Sequence, residues 1–338
     1  MIVEVKNLTK KYGNHTAVSD LSFEIEKGKI YGFLGPNGAG KSTTMNIMTG
    51  CLAATKGEVL IGGFDIFEQP VQAKKLIGYL PELPPLYTDR TPREYLKFVA
   101  EAKGVKGKEI AAQVKEVMEE TQITDVADRI IKNLSKGYKQ RVGIAQALLG
   151  NPEVIILDEP TVGLDPRQII EIRDLIKELG KNHTVILSSH ILSEVQAVCE
   201  TIMIISKGKM VACDTPENLE KMFSGSISVN LTVEATKSEV KNILKKVKDI
   251  KNIEITEDGK VCHVVIETNS DDDSEICKNI FFAFAEAKKA ILKMNPSSAS
   301  LEEIFLELTD RDEEPDEESE DDEDTEEIND EEGKEENE

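Results

Sequence analysis

Up to about Ser224, short apolar runs rich in β-branched residues alternate with longer stretches whose apolar positions recur every three to four residues. Such alternation predicts an α/β unit in which helices cover a largely parallel sheet. The clearest strands are expected at Ile30 to Leu34, Val154 to Leu157, Thr184 to Leu187 and Thr201 to Ile205. From about Thr88 to Gly150 the strand pattern disappears. Thr91-Pro92-Arg93-Glu94 reads as an N-cap, a proline at the first helical position and a reciprocal glutamate, opening a helix through Lys103. Further helices are expected over Lys108 to Thr121 and Lys139 to Leu149, so a helical insertion (about 88–150) interrupts an α/β core spanning residues 1–224.

The order of elements then changes. Ile227 to Val233 alternates as a strand, Lys237 to Val247 is amphipathic, and Ile253 to Ile255 with Val261 to Ile266 suits a hairpin turning at Glu257-Asp258-Gly259-Lys260. Ser274 to Ala290 predicts a second helix and Ile291 to Met294 a last strand, giving a β-α-β-β-α-β order. Residues 225–309 are therefore expected to form a small α+β domain of the split βαβ, ferredoxin-like kind. A short helix opening at Ser300 with Glu303 in a capping box closes it. From Asp310 to Glu338 almost nothing is apolar, which predicts a disordered tail.

Charge sharpens this division. The tail holds 20 acidic and 2 basic residues, so it carries −18 of the formal −23, and residues 1–309 carry only −5. No basic footprint of a nucleic-acid binder is present, and nucleic acid is not expected as a partner. No stretch reaches the roughly eighteen consecutive apolar residues of a membrane helix, and Met1 to Lys11 lacks a signal-peptide apolar region, which places the chain in the cytoplasm. The five cysteines are widely spaced without Cys-x-x-Cys or zinc spacing and are read as reduced and structural.

Gly35-Pro36-Asn37-Gly38-Ala39-Gly40-Lys41-Ser42 follows a predicted strand and precedes a predicted helix, Lys41 to Met48. Alone the spacing also suits an ordinary glycine-rich turn. Between a strand and a helix it reads as a Walker A loop, whose amides, with the helix N-terminus, converge on phosphate oxygens. Lys41 is assigned to the β- and γ-phosphates, Ser42 to Mg²⁺, and Thr43 to the same loop. Val154 to Leu157 ends in Asp158-Glu159-Pro160, so two carboxylates emerge where ligands of open α/β sheets bind. Neighbouring strand residues point opposite ways, which gives Asp158 to the metal and Glu159 to general-base work. His190 reaches the same edge through Ser188-Ser189; unaided, it reads more readily as a helix-start residue.

Leu134-Ser135-Lys136-Gly137-Tyr138-Lys139-Gln140-Arg141, lying between these motifs, resembles the signature of ATP-binding cassette (ABC) ATPases, usually written LSGGQ. Walker A, signature, the Walker B strand Val154 to Leu157 with Asp158-Glu159, Gly163-Leu164-Asp165 and His190 follow in this family's order over residues 1 to about 222. The resemblance implies an ATP-hydrolysing subunit of an exporter, bound to a separate multi-spanning permease on the inner face of the membrane. It also implies a head-to-tail dimer, with itself or a paralogue, in which ATP lies between Walker A of one chain and the signature of the other. Ser135 and the Gly137 amide would then face the γ-phosphate, Asp165 would link the two sites, His190 would contact the γ-phosphate, and Tyr12 would stack on adenine. The alternative for Tyr12 is a strand-end aromatic in the core. Lys136 and Tyr138 stand where the family has Gly and Gln, and Glu82 stands where it has a metal-binding Gln. Leu83-Pro84-Pro85-Leu86-Tyr87 lies where the family receives a coupling helix, and it also suits a rigid loop covering the core.

A translation or repair ATPase would need a second cassette, long heptads or a zinc module, and none is present; a dead regulatory module is at odds with Lys41, Glu159 and His190. If the tail is only solvated polyelectrolyte, deleting residues 310–338 leaves the melting temperature and ATPase rate of the remainder nearly unchanged. A large drop in either shows that the tail docks.

Overall fold

The computed structural model describes residues 1–223, 228–259, 261–268 and 273–297. Two long antiparallel strands come first, β1 (Val3–Tyr12) and β2 (His15–Ile25). β3 (Ile30–Leu34) leads into α1 (Lys41–Met48), and β4 (Lys56–Ile61) with β5 (Phe64–Asp65) completes a four-stranded sheet ordered β2-β1-β4-β5. After α2 (Pro70–Lys75) and β6 (Ile77–Leu80) come α3 (Pro92–Ala102), α4 (Gly107–Glu120) and α5 (Lys136–Leu148), with no strand among them. β7 (Val154–Asp158), α6 (Pro166–Gly180), β8 (Thr184–Ser189), α7 (Leu192–Gln196) and β9 (Thr201–Ser206) then alternate. β10 (Lys209–Asp214) folds back on β9. This second sheet runs β10-β9-β3-β8-β7-β6 and is parallel from β9 to β6.

Alternate residues of each parallel strand enter different cores. Leu34, Ile155, Leu157, Ile202 and Ile204 pack with α3 to α7, while Phe33, Val154, Ile156, Met203 and Ile205 pack with α1 and the antiparallel sheet. A sheet covered on both faces needs apolar residues at every position, which is why these strands stand out as unbroken runs. The antiparallel sheet escapes that pattern because β1 and β2 mix buried and exposed positions. On β3 the helix α7 sits directly on backbone: a Cβ at Gly32 would lie 2.1 Å from Val195 Cγ1 and 2.9 Å from Cys199 Sγ.

After α8 (Pro216–Phe223), a third sheet is formed by β11 (Ser228–Val233), β12 (Ile250–Asp258), β13 (Val261–Thr268) and β14 (Ile291–Ser297). Its order is β12-β13-β11-β14, and every neighbouring pair is antiparallel. α9 (Lys237–Leu244) and α10 (Asp273–Glu286) share its core, Val240, Leu244, Ile276, Ile280 and Phe284 meeting Val229, Leu231 and Val233.

Several boundaries differ from expectation. α5 starts at Lys136 rather than Lys139, because Ser135 takes the N-cap and its Oγ accepts from the Tyr138 amide at 3.3 Å. α10 stops at Glu286 instead of Ala290, ahead of Lys288, whose left-handed backbone (φ 54°) cannot continue it. None of the five cysteines is in a disulfide; Cys199 and Cys262 are buried, but Cys51 and Cys213 are exposed and fill no core. The closing helix expected at Ser300, the acidic tail and Lys260 of the hairpin turn lie outside the described residues.

Phe33 is fully buried and meets Phe23 edge-on with ring centroids 5.2 Å apart. Phe33→Ala is expected to cost about 3–5 kcal/mol, read as a lower denaturant midpoint in urea unfolding.

Candidate functional site

The C-terminal ends of β3, β7 and β8 lie side by side, Leu34 opposite Ser189 and Asp158 opposite Ser188. Leaving β3, the chain turns through Gly35 to Gly40 before α1. Gly40 has φ 102°, and a Cβ there would lie 2.5 Å from the Ala17 carbonyl oxygen, so both backbone angle and space require glycine. As N-cap of α1, Gly40 offers no side-chain acceptor, and the first turn holds no acid. The amides of Lys41, Ser42 and Thr43 thus begin a helix with its positive end uncompensated, the arrangement that receives anions.

Lys41, only 6% exposed, donates to Gly35 O at 2.7 Å and Pro36 O at 3.2 Å, and its Nζ lies 3.5 Å from Glu159 Oε1. Gly35 and Pro36 therefore orient the lysine. Asp158 and Glu159 are 3% and 7% exposed. Ser42 Oγ donates to Asp158 Oδ1 at 3.2 Å, and Ser188 Oγ donates to the same oxygen at 2.6 Å. The Ser188 hydroxyl also accepts from the Glu159 amide at 2.9 Å. Glu159 has φ 48°, a left-handed conformation that costs a non-glycine residue and persists where surroundings impose it. That turn sends its carboxylate to His190, whose Nδ1 lies 2.9 Å from Oε2. A carboxylate there holds the ring proton on Nδ1.

Behind this layer, buried Glu194 accepts from Ser189 Oγ at 3.2 Å and from Thr161 Oγ1, while Ser189 Oγ accepts from the Ile191 amide at 3.0 Å. Sequence reasoning missed Thr161, Ser188, Ser189 and Glu194; the one available signal was the pair of hydroxyls immediately before His190. Nearby, the Tyr79 hydroxyl donates to Asn46 Oδ1 at 3.3 Å. Burial, and secondarily the charge of Asp158, push that phenol up, so it stays a neutral donor.

A cavity of about 440 Å³ opens over the edge. Asn37, Gly38, Ala39, Gly40, Lys41, Ser42 and Thr43 form its floor, Glu159 and His190 one wall, and Tyr12 and Glu82 the rim. Tyr12 ends β1 and is 49% exposed with the Lys10 ammonium 5.1 Å from its ring centroid, so it is not a core aromatic. Ser135, Gly137 and Asp165 are absent from this cavity's lining. They line a second cavity of about 500 Å³ with Tyr138, Arg141 and Gln168. There Asp165 caps α6, accepting from the Gln168 amide at 3.0 Å, and the Tyr138 hydroxyl donates to Asp125 Oδ2 at 2.7 Å. Among the described residues no three His, Cys, Asp or Glu side chains group as a metal site of their own, and no helix is long and apolar enough to cross a membrane.

Residues 18–162 match the family described as ABC transporter. The chain is 31% identical to the linearmycin resistance ATP-binding protein of Bacillus subtilis (strain 168), over 92% of this chain and 99% of that one. To the bacitracin transport ATP-binding protein of Bacillus licheniformis it is 35% identical, over 91% and 97%. Among solved structures it resembles an ATP-binding subunit of an ABC transporter (TM-score 0.60, 30% identity, 66% of this chain and 93% of that one). It also resembles an ATP-binding cassette in a dimeric post-hydrolysis state bound to ADP and Pi (TM-score 0.57, 28% identity, 63% and 98%).

Ser188→Ala removes the hydrogen bond to buried Asp158 and leaves the Glu159 amide unmet, each worth about 1–3 kcal/mol. The expected result is a fall in ATPase kcat of about tenfold or more with an unchanged far-ultraviolet dichroism spectrum; full activity would show that Ser188 does not hold the carboxylates.

Proposed function

The chain belongs to the ABC transporter family as an ATP-binding, ATP-hydrolysing protein, and on that premise we propose that each of its active sites is completed by a second chain. The observation that carries the proposal is the separation of the two cavities. Lys41, Glu159 and His190 share one, whereas Ser135, Gly137 and Asp165 line the other. Two chains placed head to tail close a Walker A cavity against a signature cavity, and the N-terminus of α5 then faces the phosphates that the N-terminus of α1 holds from below.

The residues fit that work. The amides of Gly38 to Thr43 and the Lys41 ammonium cradle the β- and γ-phosphates, and Tyr12 offers an exposed ring to adenine. Ser42 Oγ and Asp158, 3.2 Å apart, would hold Mg²⁺, with Glu82 at the rim as a further oxygen donor, and the ion would offset the charge of the phosphates. Glu159 accepts a proton from the attacking water. His190 orients that carboxylate from one side and Lys41 from the other.

Further assignments rest on the same reading. Residues 1–224 are the ATPase domain with its helical part at about 88–150, residues 225–309 a ferredoxin-like accessory domain, and residues 310–338 a solvated acidic tail. In the loop after β6, Pro84 packs toward Gly143 and Leu86 against the core, while Leu83 and Tyr87 of the loop and Phe98 of α3 stay exposed. That apolar exposure suits contact with a separate permease, which would hold the chain at the inner face of the membrane. Relatives named for linearmycin resistance and bacitracin transport favour export.

Glu159→Gln is expected to lower ATP hydrolysis about 10²- to 10⁴-fold while retaining ATP binding, and ATP then traps a dimer detectable by sedimentation. Adding Ser135→Arg to that variant abolishes the dimer but leaves ATP bound to monomers. A double variant that still dimerises with ATP refutes the two-chain site.

A further inference from the structure

Two side chains of opposite charge lie on the two surfaces that the composite site brings together, and among the described residues neither makes an ion pair or a side-chain hydrogen bond. Glu82, exposed at the rim of the Walker A cavity, makes no ion pair or side-chain hydrogen bond among the described residues. Lys136 is the first residue of α5, next to Ser135, and is likewise without an ion pair or side-chain hydrogen bond.

The position of Lys136 is electrostatically uphill. The N-terminus of a helix carries a partial positive charge that acids stabilise and cations oppose. The first turn of α5 contains no acid, and Lys139 adds a second cation. A positive helix end loaded with lysine is unfavourable in an isolated chain and becomes favourable when an anion approaches from outside. The lysine lies back along a surface of its own chain. Its Nζ lies over Gly163, where a Cβ would be only 2.1 Å away, two residues before Asp165 of the same surface.

We propose that Lys136 of one chain pairs with Glu82 of a second copy across each ATP, so that the dimer contains this ion pair twice. The pairing explains how an extra carboxylate is tolerated beside phosphates: a cation arrives with the same chain that closes the site. It makes closure selective as well, since a cassette lacking a cation at this position would leave the Glu82 carboxylate oxygen not given to Mg²⁺ beside the γ-phosphate without a cation of its own.

The inference rests on the two-chain site, and the test separates the two. In the Glu159→Gln background, the dimer dissociation constant at saturating Mg²⁺ and ATP is measured by sedimentation for four proteins: the background, Glu82→Gln, Lys136→Gln and the double variant. ATP binding to the monomers, read with a fluorescent analogue, verifies that each is folded. Each single change is expected to weaken dimerisation about tenfold and to reduce its dependence on salt, with the double variant no weaker than either single one. Lys136→Arg retains tight dimerisation. Independent effects that multiply to about a hundredfold in the double variant overturn the pairing, as does a Lys136→Gln dimer as tight as the background. A background that stays monomeric with ATP overturns the two-chain reading itself.

Discussion

Burial of the parallel sheet on both faces is the constraint from which the rest follows. Phe33 and Leu34, or Ile156 and Leu157, are adjacent in sequence yet fill separate cores, so a polar group within these strands would be stranded without water. Polar chemistry is thereby displaced to the strand ends, and the parallel arrangement aligns those ends along one edge. Asp158 sits at the last position of β7 and Ser188 and Ser189 at the last two of β8, all buried but all satisfied by one another or by neighbouring loops. The edge is thus a compact polar layer laid on an apolar slab. Its members are held by strand register rather than by long flexible side chains.

That origin explains what could be read in advance. The strands Ile30 to Leu34, Val154 to Leu157, Thr184 to Leu187 and Thr201 to Ile205 were legible because double burial removes any alternation. The loop from Gly35 to Ser42 and the pair Asp158-Glu159 were legible because function fixes their order along the chain. The antiparallel sheet was not, since its strands carry solvent-facing residues and bulges that break up their pattern. Nor was the role of Ser188: a serine becomes a carboxylate anchor only when pairing sets it opposite Asp158, a fact about register that no local stretch contains. The start of α5 was misplaced by three residues because Lys136-Gly137-Tyr138 has weak helical character, and the hydroxyl of Ser135 settles the boundary.

The two bare helix ends differ in an instructive way. α1 begins at a glycine with nothing to offer its amides, while α5 begins at Ser135, whose hydroxyl already serves the Tyr138 amide. The first leaves its amides open to an anion; the second is partly satisfied on its own, and on the two-chain reading proposed above it is completed by another surface. Lys136 in the first turn of α5 raises the field there and makes no side-chain hydrogen bond among the described residues.

Gly32 has a mechanical consequence. With no side chain between them, β3 and α7 touch through backbone and the branched carbons of Val195, leaving no compressible layer. β3 carries the loop that ends in Lys41, and α7 follows directly on His190. Both are therefore mounted on one stiff block, and the distance between them has little compliance. What adjusts during a cycle of binding and release then lies outside this block. On the two-chain reading proposed above, the block is a fixed anvil and the second chain sets the timing.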